Sequence, residues 1–264
     1  MKNELRFAIC AIKKNIKSSA ELRTSFLMNI VGMSINNIAF IILWIFFIKS
    51  VGTIGGWTAS DIIGLQGFVA LSYGLVFSMA MGIRRLPDYV ASGSFDRFML
   101  SPKKLLLRVA TASFNASAIG DVVFGISCLI IYGFLVQTSF FQIIIMLILV
   151  FLAALSFFAM AVIVSSVSFF IIDAGSIANS LFELFITPAL FHGGAFQGFM
   201  RIFFTFLIPS LLIGTLPVEA VKNFSIDKLS LIAILTFVWL FLSFKIFAGA
   251  VKKYESSNFM TFGN

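Results

Sequence analysis

The sequence predicts an all-α integral membrane protein with six transmembrane helices, and three observations lead there. Of its 264 residues, 60% are hydrophobic and only 11% charged, far outside the makeup of soluble globular domains. Several apolar runs approach or exceed the roughly 20 residues a helix needs to cross about 30 Å of hydrocarbon. The basic residues gather between those runs rather than within them. Little length is left over, so residues 1–264 are expected to form a single membrane domain.

Residues 1–25 come first and are too polar to span. Leu5, Ile9, Ile12 and Ile16 recur at spacings of three and four, while Arg6, Lys13, Lys14 and Lys17 occupy other faces. That pattern predicts an amphipathic interfacial helix lying on the inner membrane surface. The first apolar run begins only near Ser25 and is too long for a signal peptide, so no cleaved leader is expected.

Apolar runs predict spans over 26–48, 61–83, 110–136, 141–170, 176–192 and 229–250. Six spans put both termini on one side. If that side is the cytoplasm, the N-terminal segment, the loop at 84–108 and the tail hold fifteen of the nineteen basic residues, leaving Lys49, Arg201, Lys222 and Lys228 outside, as the positive-inside rule requires. Within the third span, Ala112, Ala116 and Gly120 fall at successive fours beside Ser113 and Ser117, which predicts a small-residue face for close helix packing.

Between the second and third spans, residues 84–108 crowd eight charges into twenty-five positions. Pro87 suits a first helical position, Gly93 a helix end and Ser94 the cap of a second short helix, and Ser101 before Pro102 suits the start of the third span. Tyr89, Phe95, Phe98 and Met99 alternate with Asp88, Asp96 and Arg97, a pattern expected to present an aromatic anchor rimmed by charges toward a soluble partner.

Residues 193–217 pose a different problem, because Arg201 to Leu216 is apolar enough to suggest a seventh span. It is about 16 residues where about 20 are needed, Pro209 interrupts it, and a seventh span would move Lys252 and Lys253 outside. Two half-helices that dip into the outer leaflet and return, hinged at Gly193, Gly194 and Pro209, are expected instead, with protein covering their broken backbone.

No catalytic constellation is visible. Two cysteines, Cys10 and Cys128, provide neither a disulfide framework nor a thiolate metal site. His192 has no histidine or cysteine at ligand spacing, and no G-x-x-x-x-G-K-[ST] phosphate loop occurs. An enzyme is therefore not expected, and no metal is assigned. The net charge of +8 follows from membrane sidedness and does not call for nucleic acid. His192 reads as a residue at the outer interface, with a proton relay as the alternative. Asp121 and Glu183 lie within spans, where a charge costs about 2.5–3.5 kcal/mol on insertion scales; each lines a polar pathway or pairs with a neighbouring helix. Asn36 and Asn37, mid-span in the first helix, face a pathway or partner or bond across helices.

The stretches "YVASGSFDRFMLSP" at 89–102, "FHGGAFQGFMRIFFTFLIPSLLIGTLP" at 191–217 and "KKYESSN" at 252–258, with the six-span plan and the surface N-terminal helix, resemble permease subunits of type-2 ABC exporters (the ABC-2 type). Members commonly carry arginine before the proline where this chain has Ser101. The resemblance implies a multi-pass subunit of the bacterial cell membrane that pairs with a second permease, identical or not, and with two separate ABC ATPase subunits. ATP and magnesium would belong to those ATPases, and no cofactor to this chain. It further implies that loop 84–108 is the cytoplasmic coupling loop, making Asp88, Tyr89, Phe95, Asp96, Arg97 and Phe98 candidate ATPase contacts. Asn36, Asn37, Asp121 and Glu183 become candidates for a pathway lined by the first and fifth spans. The transported substrate is left open. A secondary transporter or channel working without an ATPase, and a membrane scaffold without transport, are the alternative classes.

Overall fold

The structure, a computed structural model, describes residues 2–53, 55–171 and 174–255. Ser256, Ser257 and Asn258 of the tail motif lie outside the described residues. Every regular element among them is helical. Helix α1 (Lys2–Glu21) is followed by α2 (Arg23–Val51), the two parted only where Leu22 leaves helical geometry at φ −87°, ψ 70°. Gly52, at φ 86°, ends α2 by donating its N–H to the Ile48 carbonyl, and Thr58 then opens α3 (Ala59–Arg84) by donating its N–H to Asp61 Oδ2, a reciprocal cap of the kind that satisfies otherwise orphaned groups.

Three short helices follow, α4 (Leu86–Ala91), α5 (Asp96–Met99) and α6 (Leu105–Ala110). Next come α7 (Ser117–Val136) and α8 (Phe140–Ser165), joined by a tight turn in which Gln137 takes a left-handed conformation and Ser139 caps α8 with Gln142. After a 3₁₀ turn at Ser166–Phe169 the chain forms α9 (Gly175–Ala189), the short α10 (Gly198–Ile202), α11 (Thr215–Lys222) and finally α12 (Ile226–Val251).

Five helices among the described residues, α2, α3, α7, α8 and α12, are long and apolar enough to cross a membrane. Two expectations change. The run expected to span at 176–192 is a 15-residue helix, about 22 Å long and so shorter than the hydrocarbon. The run at 110–136 becomes helical only at Ser117, because α6 and the turn at 111–116 occupy its first residues. Ala112 and Ala116 therefore lie outside the helix that was to carry the small-residue face.

Helix α3 is the centre of the bundle, packed by α2, α7, α8 and, at its end, α6. Glycines set its closest approaches. A Cβ on Gly74 would lie 2.7 Å from the Val122 amide of α7, and one on Gly125 of α7 would lie 2.6 Å from the Leu71 amide. Gly120 meets α2 in the same way, at the Ile30 carbonyl. Backbones that touch gain dispersion contacts, the main source of helix association where lipid is as apolar as the side chains. Across the bundle, Ser156 of α8 and Thr236 of α12, both fully buried, share a 2.8 Å hydrogen bond. One aromatic core lies at the end that carries α4–α6, built on Phe77, Phe157, Phe182 and Phe185. A second lies at the far end around Trp57, Phe68 and Tyr132.

Replacing Gly74 by valine is expected to force α3 from α7 and to cost about 1–3 kcal/mol, as overpacking does elsewhere. A lowered midpoint in thermal unfolding of the purified chain checks it, with the exposed Gly249→Val, where an added Cβ meets nothing within 4 Å, as the control.

Candidate functional site

The charged island is built as a folded unit. Arg84, the last residue of α3, donates to the Tyr73 hydroxyl at 2.8 Å and lies 4.6 Å above the Phe182 ring of α9. Pro87 stands in the first turn of α4 and Gly93, at φ 67°, follows its end, both as expected from a ring that fixes φ and a residue free of a Cβ penalty. Ser94 does not cap α5; its hydroxyl contacts Ser92 and the Tyr89 carbonyl, and Phe95 holds the cap position. Ser101 precedes α6 rather than a span.

The island's aromatic residues point inward, which corrects the expected anchor. Phe95 is 0% exposed and Phe98 is buried. Phe95 sits 5.0 Å from the Phe169 ring and 4.8 Å from that of Tyr254, beyond α12. Asp96 accepts a 2.9 Å hydrogen bond from the Tyr254 hydroxyl. Tyr89, half-buried, forms a 2.6 Å hydroxyl–hydroxyl hydrogen bond with Ser113, and its ring lies tilted 5.2 Å from that of Phe98. Arg108 donates to the carbonyls of Phe98 and Arg97. Outward-facing residues include Asp88, Arg97 and the apolar pair Met99 and Leu100, 51% and 88% exposed. Alternating apolar and charged residues read the same whichever side faces a partner. The inward choice was set by Phe169 and Tyr254, distant in sequence.

The four membrane-embedded polar candidates separate. Asn37 of α2 donates to Asp121 Oδ1 of α7 at 2.7 Å, and Asp121 is buried; this pair bonds across helices. Asn36 is exposed on α2. Glu183 is exposed on α9, and its face also carries Ser176, Asn179, Ser180 and Thr187, all exposed. Their spacing of three and four places them in one stripe. Sequence reading took Glu183 alone and missed the stripe, though the spacing in 176–187 would have shown it; it also missed Tyr73 and Arg84, which no pattern marks.

At the far end, the segment from His192 to Lys222 folds on itself. Gly193 packs where a Cβ would strike Trp57 and Thr215, and Gly194 abuts Gly55. Helix α10 continues as a π-helical turn to Leu207, and Pro209 breaks it before the 3₁₀ turn Ser210–Leu212. There the chain reaches inward, with Ser210 Oγ donating to the Phe185 carbonyl of α9 at 2.7 Å and Leu211, Leu212 and Ile213 fully buried. Helix α11 then returns. Its Glu219 grips Arg201 of α10 with both oxygens, at 3.1 and 2.6 Å, and its Lys222 meets Asp61 at 2.7 Å. His192 is buried with its ring 5.8 Å from Trp44.

A family model described as "ABC-2 family transporter protein" matches residues 34–258, from the middle of α2 to beyond α12. No curated protein matches the chain. The chain belongs to the ABC-2 transporter family and is a transmembrane transport component of an ABC system, multi-pass in its membrane, rather than an enzyme.

Lys222→Ala would leave the buried Asp61 carboxylate without its cation, at an expected cost of about 1–3 kcal/mol. Thermal unfolding should show that loss, and Asp61→Asn added to it should recover part of it.

Proposed function

We propose, from that family membership, that the chain is the permease subunit of an ATP-driven exporter in a bacterial cell membrane, working by alternating access with a second permease and with ATP and magnesium held on separate ATPase subunits. Six crossings are formed by α2, α3, α7, α8, α9 and α12. Helix α9 ends near Gln66, whose side chain bonds the Leu190 carbonyl, and residues 190–194 complete its crossing to the loop at Gly55 and Trp57. Both termini and the island are then cytoplasmic, with fifteen of nineteen basic residues inside. Residues 193–217 form the re-entrant hairpin, its tip at Ser210 sheltered by α3 and α9 as broken backbone in hydrocarbon requires.

The observation that carries the coupling reading is the outward tip of the island. Met99 and Leu100 stand exposed on an element fastened at Phe95 to the 3₁₀ turn after α8 and to Tyr254 after α12. An apolar knob on a rigid base, with Asp88 and Arg97 beside it, suits a protein contact. Force on the knob would pass to two spanning helices.

The exposed stripe of α9 supports a pathway face. A carboxylate such as Glu183 is too costly against lipid, so a second permease or water must cover it. Asn36 on α2 stands under the same constraint, whereas Asn37 donates to one oxygen of Asp121.

Met99→Ser with Leu100→Asp should abolish stoichiometric copurification of the ATPase from detergent while the permease still inserts, because no spanning helix is touched. Unchanged copurification and hydrolysis would remove the docking role, and a chain that never retains an ATPase would favour a secondary transporter or channel. Glu183→Gln should lower transport several-fold, measured in vesicles, with assembly intact; wild-type transport would return Glu183 to a structural role.

A further inference from the structure

A cavity of about 450 Å³ lies between α1 and the island, within the range of about 300–1,000 Å³ that holds small ligands. Lys14 of α1, Arg97 of α5 and Arg108 of α6 stand around it, and Phe7, Phe98 and Ala112 form an apolar floor. The three cations pair with no carboxylate among the described residues. Arg108 is held by two backbone carbonyls, bonds that fix its guanidinium without neutralising it. Glu4, which accepts from the Lys104 amide, and Asp96, which accepts from Tyr254, do not line the cavity. The hollow is kept open by contacts on both sides. Asn15 of α1 bonds the Thr111 carbonyl at 2.9 Å, and Arg97 and Arg108 lie over the Phe98 ring.

Three cations with no ion pair among the described residues, above an apolar floor where α1 meets the end of α6, suit a phosphodiester anion attached to hydrocarbon. We propose that this cavity binds the headgroup of an anionic phospholipid of the inner leaflet, bridging the surface helix to the island. The inference rests on the assignment of α1 and the island to the cytoplasmic side. Binding to the purified chain is read without any ATPase or transport, so failure here leaves the coupling reading standing.

The test is native mass spectrometry of the full chain released from micelles containing dioleoyl phosphatidylglycerol or dioleoyl phosphatidylcholine. The wild type should retain phosphatidylglycerol in preference. Lys14→Gln with Arg97→Gln should weaken that retention about thirtyfold, the loss expected for two basic contacts at a membrane surface. Lys13→Gln with Lys17→Gln removes equal charge from exposed positions of α1 outside the cavity and should leave retention unchanged. Ala11→Trp, which fills the cavity and keeps every charge, should weaken it as well, and serves if the charge variant fails to fold. Equal loss in both charge pairs would overturn the site in favour of a diffuse basic surface. Displacement of the lipid by millimolar inorganic phosphate would overturn the lipid source in favour of a soluble anion.

Discussion

Hydrocarbon offers no partner to a peptide group, and that constraint governs where this chain can be irregular. Its long helices satisfy themselves and can face lipid, as the exposed apolar residues of α2 do. Its breaks cannot. The kink at Ala80 in α3, the turn at 111–116 and the 3₁₀ turn Ser210–Leu212 all lie against other protein. The most broken of these sits behind α3 and α9, with Leu211, Leu212 and Ile213 wholly enclosed. Helix α3 can shelter so much only because glycine lets α7 come to backbone contact on its other side. The bundle is closed on one flank so that irregular chain can be accommodated on another.

The same economy appears at the two ends. At the far end, charge does the fastening. Asp61 begins α3 and receives Lys222, while Glu219 and Arg201 tie α11 to α10, so the hairpin is held to itself and to the bundle by separate pairs. Buried or half-buried pairs of this kind fix an arrangement more than they stabilise it. At the other end aromatic rings do the fastening, with Phe95 lodged between Phe169 and Tyr254. Ring pairs of this kind favour edge-to-face or offset contacts and add about 0.5–1.5 kcal/mol beyond the area they bury.

Much of this was legible in the sequence. Apolar run length located α2, α3, α7, α8 and α12, and Pro87, Gly93 and Pro209 marked real turns, because each acts through its own backbone geometry. What failed depended on distant partners. The period of charged and aromatic residues in 89–99 could not say that Phe95 would be claimed by a tyrosine beyond α12. Small residues before Ser117 looked like a helix face, yet α6 docks against Gly82 of α3 and takes that length for itself. Asp121 gave no sign that Asn37, on another helix, would supply its hydrogen bond.

The contact between Phe95 and Tyr254 has a bearing on how the protein is made. The hydroxyl of Tyr254 bonds a residue 158 positions earlier, so the ribosome must pass residue 254 before the island can close. Until then Phe95 has Phe98 and Phe169 to pack against but lacks the Tyr254 ring, and Asp96 lacks the Tyr254 hydroxyl. A chain stalled or truncated within α12 would keep its earlier helices while lacking this joint at the island. Order of synthesis thus leaves this joint until last, complete only after the whole of α12 has emerged.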